Sequence, residues 1–435
     1  MSKHVLRCTA CARDHEDDGF RFTCASSHAP SLLRSVYEET SFLPQESSGI
    51  SRYAHWLPAR NRIPSTARTA TFQSDALNRA LGTPNLWLAF NGFWPDRGAH
   101  LEHATFKELE AAAVVARFPR DGTVLVAASA GNTATSLAAA CSLAQIPAVI
   151  VVPQRAIGAL RFVNPPHKCI KFIAVADGTY DDAIFFARRV AAHPGFFFEG
   201  GASNVARRDG IGTTMLAAVE TLGRLPDHYV QAVGSGGGAI AAHEAALRLL
   251  ATGMFGQRLP KLLLVQNEPS APVHASWQQR SPILLGQEDP VSHRAAEQTL
   301  AAKVLGMRVP PYALPGGLYS ILSESDGDTA SATNEQARRS STLFTDLEGV
   351  DIEPAAAVAL AGLQNALSDG RIDRHANILL HITGGGREAS LALRPCSVEP
   401  QLVVPLLATS LSRTAQAVVR LWSEGDVPAA GQFAS

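Results

Sequence analysis

Short β-rich apolar runs alternate with helical stretches of ten or more residues along most of this 435-residue chain, which sharply limits the folds open to it. Strand character at Thr123–Ala127, Ala148–Val152, Cys169–Val175, Gln231–Val233, Lys261–Gln266 and Asn377–His381 is interleaved with helical patterns at Asn132–Leu143, Tyr180–Ala192 and Ala239–Leu250. A hairpin needs only a tight turn, whereas a helical crossover returns the chain to lay the next strand parallel to the last. The expected class is α/β. Because 435 residues exceed what one core supports, two packed domains are expected, each with a mostly parallel sheet flanked by helices. Ligands in such sheets bind at loops beyond the carboxyl ends of the strands.

Composition removes several function classes. Charged residues make up 18% of the chain, the formal net charge is −1, and no dense basic run occurs, so no nucleic-acid partner is expected. No apolar run reaches the roughly 20 residues needed to span a bilayer, so no membrane association is expected. The N-terminus lacks an apolar signal core, and six cysteines in so long a chain make no disulfide framework, so a cytoplasmic location is expected. Cys8-Thr-Ala-Cys11 resembles one knuckle of a zinc ribbon, but the second knuckle is incomplete, with only Cys24 and His28. The expectation is a degenerate ribbon over residues 1–35 without metal, with Cys8, Cys11, Cys24 and His28 as the weaker alternative.

Four loops carry chemistry. Lys107 opens the helical pattern Thr105–Arg117, where the positive helix terminus disfavours an ammonium and favours the free amine that attacks an aldehyde. Taken alone, this hexapeptide favours the plainer reading of Lys107 as an exposed helix lysine paired with Glu108 or Glu110. Ser129-Ala130-Gly131-Asn132-Thr133 follows a strand and starts a helix, giving an anion nest for a carboxylate or an ordinary capped turn. Gly234-Ser235-Gly236-Gly237-Gly238 repeats the strand–turn–helix order; it lacks the Walker lysine and the acidic residue of a dinucleotide site, so a single phosphate suits it. Thr383, after the strand Asn377–His381, offers a neutral hydroxyl suited to a ring nitrogen.

In this order the four loops resemble the fold-type-II pyridoxal-phosphate (PLP) enzymes, the group of threonine synthase, cysteine synthase and the tryptophan synthase β-chain. Longer segments are similar to the cysteate synthases: Trp94-Pro95, Phe106–Ala111, Glu199–Arg208, Pro226–Ser235, Pro310–Tyr312 and Gly316–Tyr319, within about residues 5 to 390. The resemblance implies PLP as cofactor, held as a Schiff base by Lys107 and bound by Asn132, Gly234, Ser235, Gly236, Gly237, Gly238 and Thr383. It implies substrate contacts from Ser129, Ala130, Gly131 and Thr133, with Arg207 and Arg208 as candidates for the anionic groups, alongside Arg97, His100 and His103. The implied reaction converts O-phospho-L-serine and sulfite to L-cysteate and phosphate by way of an aminoacrylate. Threonine synthase or cysteine synthase chemistry with another nucleophile is the alternative. The implied organisation is a larger PLP-binding domain over 36–110 and 200–395, a smaller mobile domain over 111–199, a C-terminal extension over 396–435, and a homodimer.

Overall fold

The computed structural model describes residues 2–286, 289–405 and 411–423. Two sheets organise it. The larger runs in the order Asp328–Ala332, Lys261–Asn267, His228–Ala232, Ile378–Ile382, Leu86–Phe90, Ala70–Phe72. All neighbours are parallel except the edge strand Ala70–Phe72, which pairs antiparallel with Leu86–Phe90. The smaller sheet runs Phe196–Phe198, Val124–Ala128, Ala148–Pro153, Ile170–Val175, Leu402–Val404 and is parallel throughout. Its central strands are unbroken apolar runs because helices cover both faces, so no residue alternates out to water. Among the described residues no helix is long and apolar enough to cross a membrane.

Parallel pairing puts functional loops at one edge of each sheet. In the larger, His228–Ala232 leads to Gly234–Gly238, and the adjacent Ile378–Ile382 leads to Thr383. In the smaller, Val124–Ala128 leads to Ser129–Gly131 and the helix Asn132–Ala144. Small residues set the packing distance beneath this edge. The helix Pro354–Ser368 lies so close to the larger sheet that a Cβ on Gly362 would stand 2.4 Å from Val265.

Three parts of the organisation differ from the expected one. The helix Lys107–Arg117 runs unbroken across the boundary expected at residue 110 and buries Leu109, Ala112 and Val115 with Leu125, Ala127 and Ile150 of the smaller sheet. The C-terminal extension is an integral part of that sheet. Leu402–Val404 pairs with Ile173–Val175, and the helix Leu411–Ser423 packs Ala415, Val418 and Trp422 on its core; residues 406–410 and 424–435 lie outside the described residues. This tail has no motif, and its strand is only three residues long, which is why it reads as an appendage.

The third difference is at the N-terminus, where Asp14–His15, His4–Cys8 and Leu33–Tyr37 form an antiparallel three-stranded sheet. The ligand set that looks incomplete in sequence is brought together by folding. Side-chain donor atoms of Cys8, Cys11, Cys24 and His28 all lie within 4.8 Å of one another. The second pair is spaced by four residues rather than three, and an irregular turn accommodates that spacing.

Candidate active site

Lys107 is the first residue of its helix, preceded by Phe106 at the cap position with no side-chain cap. Its Nζ lies 4.4 Å from the centre of the Phe106 ring and donates to Glu110 Oε2 at 3.1 Å. Burial lowers the Lys107 pKa; the Glu110 carboxylate opposes that shift and the Arg207 guanidinium reinforces it. The partner foreseen for an exposed lysine is therefore present, but in the interior. Glu110 is 2% exposed, whereas Glu108 turns away and accepts from the backbone N–H groups of Glu102 and His103.

Around Lys107 the charges form a balanced quartet. Arg207 lies 3.4 Å from Glu110 and 2.7 Å from Glu199, and Thr133 Oγ1 donates to Glu110 Oε1 at 3.2 Å. Burial works against the charge of Arg207, but Glu110 and Glu199 outweigh it and raise its pKa further. Arg208 does not share this site. It is fully buried, bonded to Glu244 at 3.0 Å, to the Ala202 carbonyl at 2.5 Å and to the Leu33 carbonyl. Adjacent helical residues point about 100° apart, so the pair splits between the cleft and the interior. Of the other cationic candidates, Arg97 stacks over Phe72 and Trp94, and His103 is buried 3.7 Å from Glu108.

Asn132 joins the two sheets. Its Nδ2 lies 3.0 Å from each Glu353 oxygen and 3.4 Å from Thr105 Oγ1, while Arg387 bonds Glu353 at 2.9 Å and reaches Asn132 Oδ1 at 3.4 Å. Burial raises the Glu353 pKa, against the hydrogen bonds from Asn132 and the charge of Arg387. In the same turn Ser129 Oγ accepts from the Gly131 N–H at 3.2 Å, and Ala130 is exposed.

The lysine and threonine loops are bonded to each other. The Phe106 N–H donates to the Thr383 carbonyl at 3.0 Å, and Thr105 bridges Gly384. Below them, the ring of His381 meets Phe106 edge-on at 5.5 Å. Burial drops the pKa of this histidine to about 3, so it stays neutral, bonded by Tyr229 and Asn91 at 2.7 Å each.

These residues fit a phosphorylated pyridine aldehyde. Thr383 Oγ1 is buried and has no protein partner, although a buried hydroxyl left unpaired costs about 1–3 kcal/mol. Gly236 has φ +72° at the start of the helix Gly237–Ala251. A Cβ on Gly237 would meet nothing nearer than 3.7 Å, so this side of the turn is open. Backbone N–H groups at such an open helix start suit a phosphate.

Residues 64–384 match the family model of pyridoxal-phosphate dependent enzymes. Solved structures share the fold, including the processed threonine deaminase isoform 2 of Solanum lycopersicum (TM-score 0.55, 15% identity, 78% of this chain and 89% of that one). Threonine synthase from Escherichia coli is another (TM-score 0.52, 14% identity, 78% and 79%). Fold and cleft thus define a fold-type-II enzyme with PLP as its cofactor. Among sequence relatives, the cysteate synthase of Methanosphaerula palustris is 47% identical over 88% of this chain and 90% of its own. That of Methanosarcina acetivorans is 40% identical over 93% and 97%. The chain belongs to the cysteate synthase family of PLP-dependent enzymes.

Sequence reasoning missed Glu110 as a member of the site, and it missed Glu199, Glu353, Arg387 and His381. Arg387 directly follows the Gly384–Gly386 turn and could have been suspected from it. Glu353 stands just ahead of the helix Pro354–Ser368 with no motif around it.

Proposed function

We propose that this enzyme replaces the phosphate of O-phospho-L-serine by sulfite, giving L-cysteate and phosphate. The Cβ–O bond breaks with its electron pair leaving on phosphate, and a Cβ–S bond forms from the sulfite lone pair. One observation carries the reaction class: the partly buried Lys107 amine stands 3.1 Å from the buried Glu110 carboxylate, with Arg207 closing the same carboxylate. The choice of product is supported by the name shared by relatives 40–47% identical over nine-tenths of the chain.

Bound PLP supplies an electron sink that makes the substrate Cα–H acidic. Lys107 anchors it and, as a free amine, takes and returns the Cα proton. Thr383 meets the ring nitrogen with a neutral hydroxyl, and Asn132 turns its amide to the ring oxygen. The amides of Gly234–Gly238, with Ser235, hold the cofactor phosphate. Ser129, Ala130, Gly131 and Thr133 receive the substrate carboxylate at the start of the helix Asn132–Ala144. Arg207 shares the Glu110 carboxylate with Lys107, and its two carboxylate partners keep it in place until an oxyanion competes for it.

The test supplies PLP-loaded enzyme with O-phospho-L-serine and either sulfite, sulfide or no added nucleophile, with O-phospho-L-homoserine as a parallel substrate. L-cysteate and phosphate should form together only with sulfite. Faster formation of cysteine from sulfide, or of threonine from the homoserine ester, would replace this reading with a cysteine or threonine synthase. Lys107→Ala should lose turnover and the visible absorbance of the cofactor on the protein; an unchanged spectrum overturns the role of Lys107.

A further inference from the structure

The N-terminal cluster takes no part in the proposed reaction, and its geometry is that of a coordination sphere. The side-chain atoms of Cys8 and His28 are 3.4 Å apart, those of Cys11 and Cys24 are 3.7 Å apart, and all four lie within 4.8 Å of one another. A tetrahedral zinc, with Zn–S about 2.3 Å and Zn–N about 2.0–2.1 Å, sets sulfur–sulfur edges near 3.8 Å and sulfur–nitrogen edges near 3.6 Å. Both observed edges agree with those values to about 0.2 Å.

The surroundings are built for thiolates and for one imidazole tautomer. Backbone N–H groups of Ala10 and Cys11 donate to the Cys8 sulfur at 3.4 and 3.5 Å, and that of Ser26 donates to the Cys24 sulfur at 3.3 Å. His15 Nε2 lies 3.3 Å from Cys24 and Ser31 Oγ lies 3.1 Å from Cys8, so both can donate from outside the sphere. His28 Nδ1 donates to the Ala29 carbonyl at 2.6 Å, which leaves Nε2 with its lone pair toward Cys8. Such an outer bond is what orients a metal-binding histidine.

We propose that Cys8, Cys11, Cys24 and His28 bind one zinc ion in a closed, structural site. Four protein donors leave no open position for substrate or water, so the role is cross-linking. The metal joins the Cys8–Cys11 turn to the Cys24–His28 turn, and the chain between them has little regular structure. That intervening chain carries Asp17, which pairs with Arg117 at the far end of the Lys107 helix at 2.6 Å. Cys8 and Cys24 also pack with Leu33 and Val205, two residues before Arg207. The ion therefore fixes a clamp touching both helices that supply the charged quartet.

The full-length protein, purified without added metal and dialysed, should contain one zinc per chain by elemental analysis. Titration of its thiols with a mercurial should release that zinc, followed with a chromogenic chelator. Replacing zinc by cobalt should give the intense visible bands of a tetrahedral thiolate site. Cys11→Ser should weaken zinc binding by more than the roughly 10- to 100-fold that an outer-shell partner is worth. Should that variant fail to fold, the mercurial and cobalt measurements on the unaltered chain decide alone. Protein that holds no zinc and gives no tetrahedral cobalt spectrum overturns the proposal. So does a Cys11–Cys24 disulfide in protein purified without oxygen, or full zinc retention in a folded Cys11→Ser variant.

Discussion

Asn132, on the turn that opens the smaller sheet's helix, donates to both oxygens of Glu353 on the larger unit at 3.0 Å each. The cleft is thus held by a polar latch between its walls, and Arg387 supplies the latch's countercharge. Glu353→Ala leaves Asn132 and Arg387 without their shared acceptor. Arg387 is more than a third exposed, so water recovers part of the loss, and the expected cost is about 1 kcal/mol. Urea unfolding followed by tryptophan emission measures it. An unchanged midpoint would mean that the latch contributes nothing to holding the walls together.

The Lys107–Glu110 pair sets the proton affinity of the amine. Burial and Arg207 push the lysine pKa down, while Glu110 holds it up. Glu110→Gln removes the group that raises it and leaves Arg207 less neutralised, and both changes act downward. Capture of PLP by the apoprotein needs the neutral amine, so its rate climbs as pH rises through this pKa. In the variant the climb should begin at lower pH. Stopped-flow absorbance across a pH series checks the direction, and a midpoint unmoved or moved upward rejects Glu110 as the controlling group.

How much of this was legible in the sequence depends on whether a residue acts locally. The strands Ala148–Pro153 and Ile170–Val175 and the helix Asn132–Ala144 follow from short-range patterning and fall within a residue or two of their expected bounds. Asn132 and Thr383 stand at strand and helix ends, where punctuation by glycine and small polar residues marks them, whereas Lys107 is singled out only by the order of the loops that follow it. Glu199 bonds Arg207 only eight residues on, but Glu353 lies 221 residues from Asn132 and Arg207 lies 97 residues from Glu110 (207 − 110), and neither of those two pairings leaves a local trace. The same holds for Arg208. Its neighbour looks identical in sequence, and only the helix rotation decides which of the two faces the cleft.

Thr383→Val separates cofactor binding from folding. The hydroxyl is buried without a protein partner, so an isosteric methyl should leave the apoprotein as stable or make it more stable by up to about 1–3 kcal/mol. Loss of one hydrogen bond should weaken PLP by about fivefold to tenfold, from roughly 1 kcal/mol. Thermal unfolding of apoprotein and a PLP titration give the two numbers. A destabilised apoprotein would show that the hydroxyl already has a partner there.

Asp17 and Arg117 make a buried ion pair that fastens the N-terminal sheet to the Lys107 helix. Burial opposes the Asp17 charge, but hydrogen bonds from His4 and Arg117 outweigh it and hold the carboxyl well below the ordinary range. A depressed folded pKa stabilises fully above the unfolded value and loses that contribution as pH falls toward the folded one. Wild-type stability should therefore decline below about pH 4 in a way that Asp17→Ala does not share. At neutral pH, Asp17→Ala strands the guanidinium and should cost about 3–5 kcal/mol. Calorimetry at pH 7 and at pH 3 tests both; equal losses at the two pH values exclude Asp17 as the titrating group.

Gly237 and Gly238 are adjacent, yet a methyl group at each meets a different environment. At Gly237 the new Cβ would have its nearest neighbours, Ser235 Oγ and Ala202 Cβ, at 3.7 and 3.8 Å, whereas at Gly238 it would stand 2.4 Å from the Gln231 amide. Gln231 accepts from the Tyr229 hydroxyl at 2.9 Å and Tyr229 bonds His381, so displacement of Gln231 strains a buried chain of partners. Gly238→Ala should lower stability by about 1–3 kcal/mol, the range for overpacking a core. Gly237→Ala should fold with stability within about 1 kcal/mol of wild type, since a glycine-to-alanine change inside a helix is mildly favourable. If the open side of the turn is where the cofactor phosphate sits, Gly237→Ala should still lose PLP affinity, because the methyl group takes the space the anion needs. Chemical unfolding of both apoproteins beside PLP titrations separates the two effects, and a Gly237→Ala protein with undiminished PLP affinity removes the phosphate from that side of the turn.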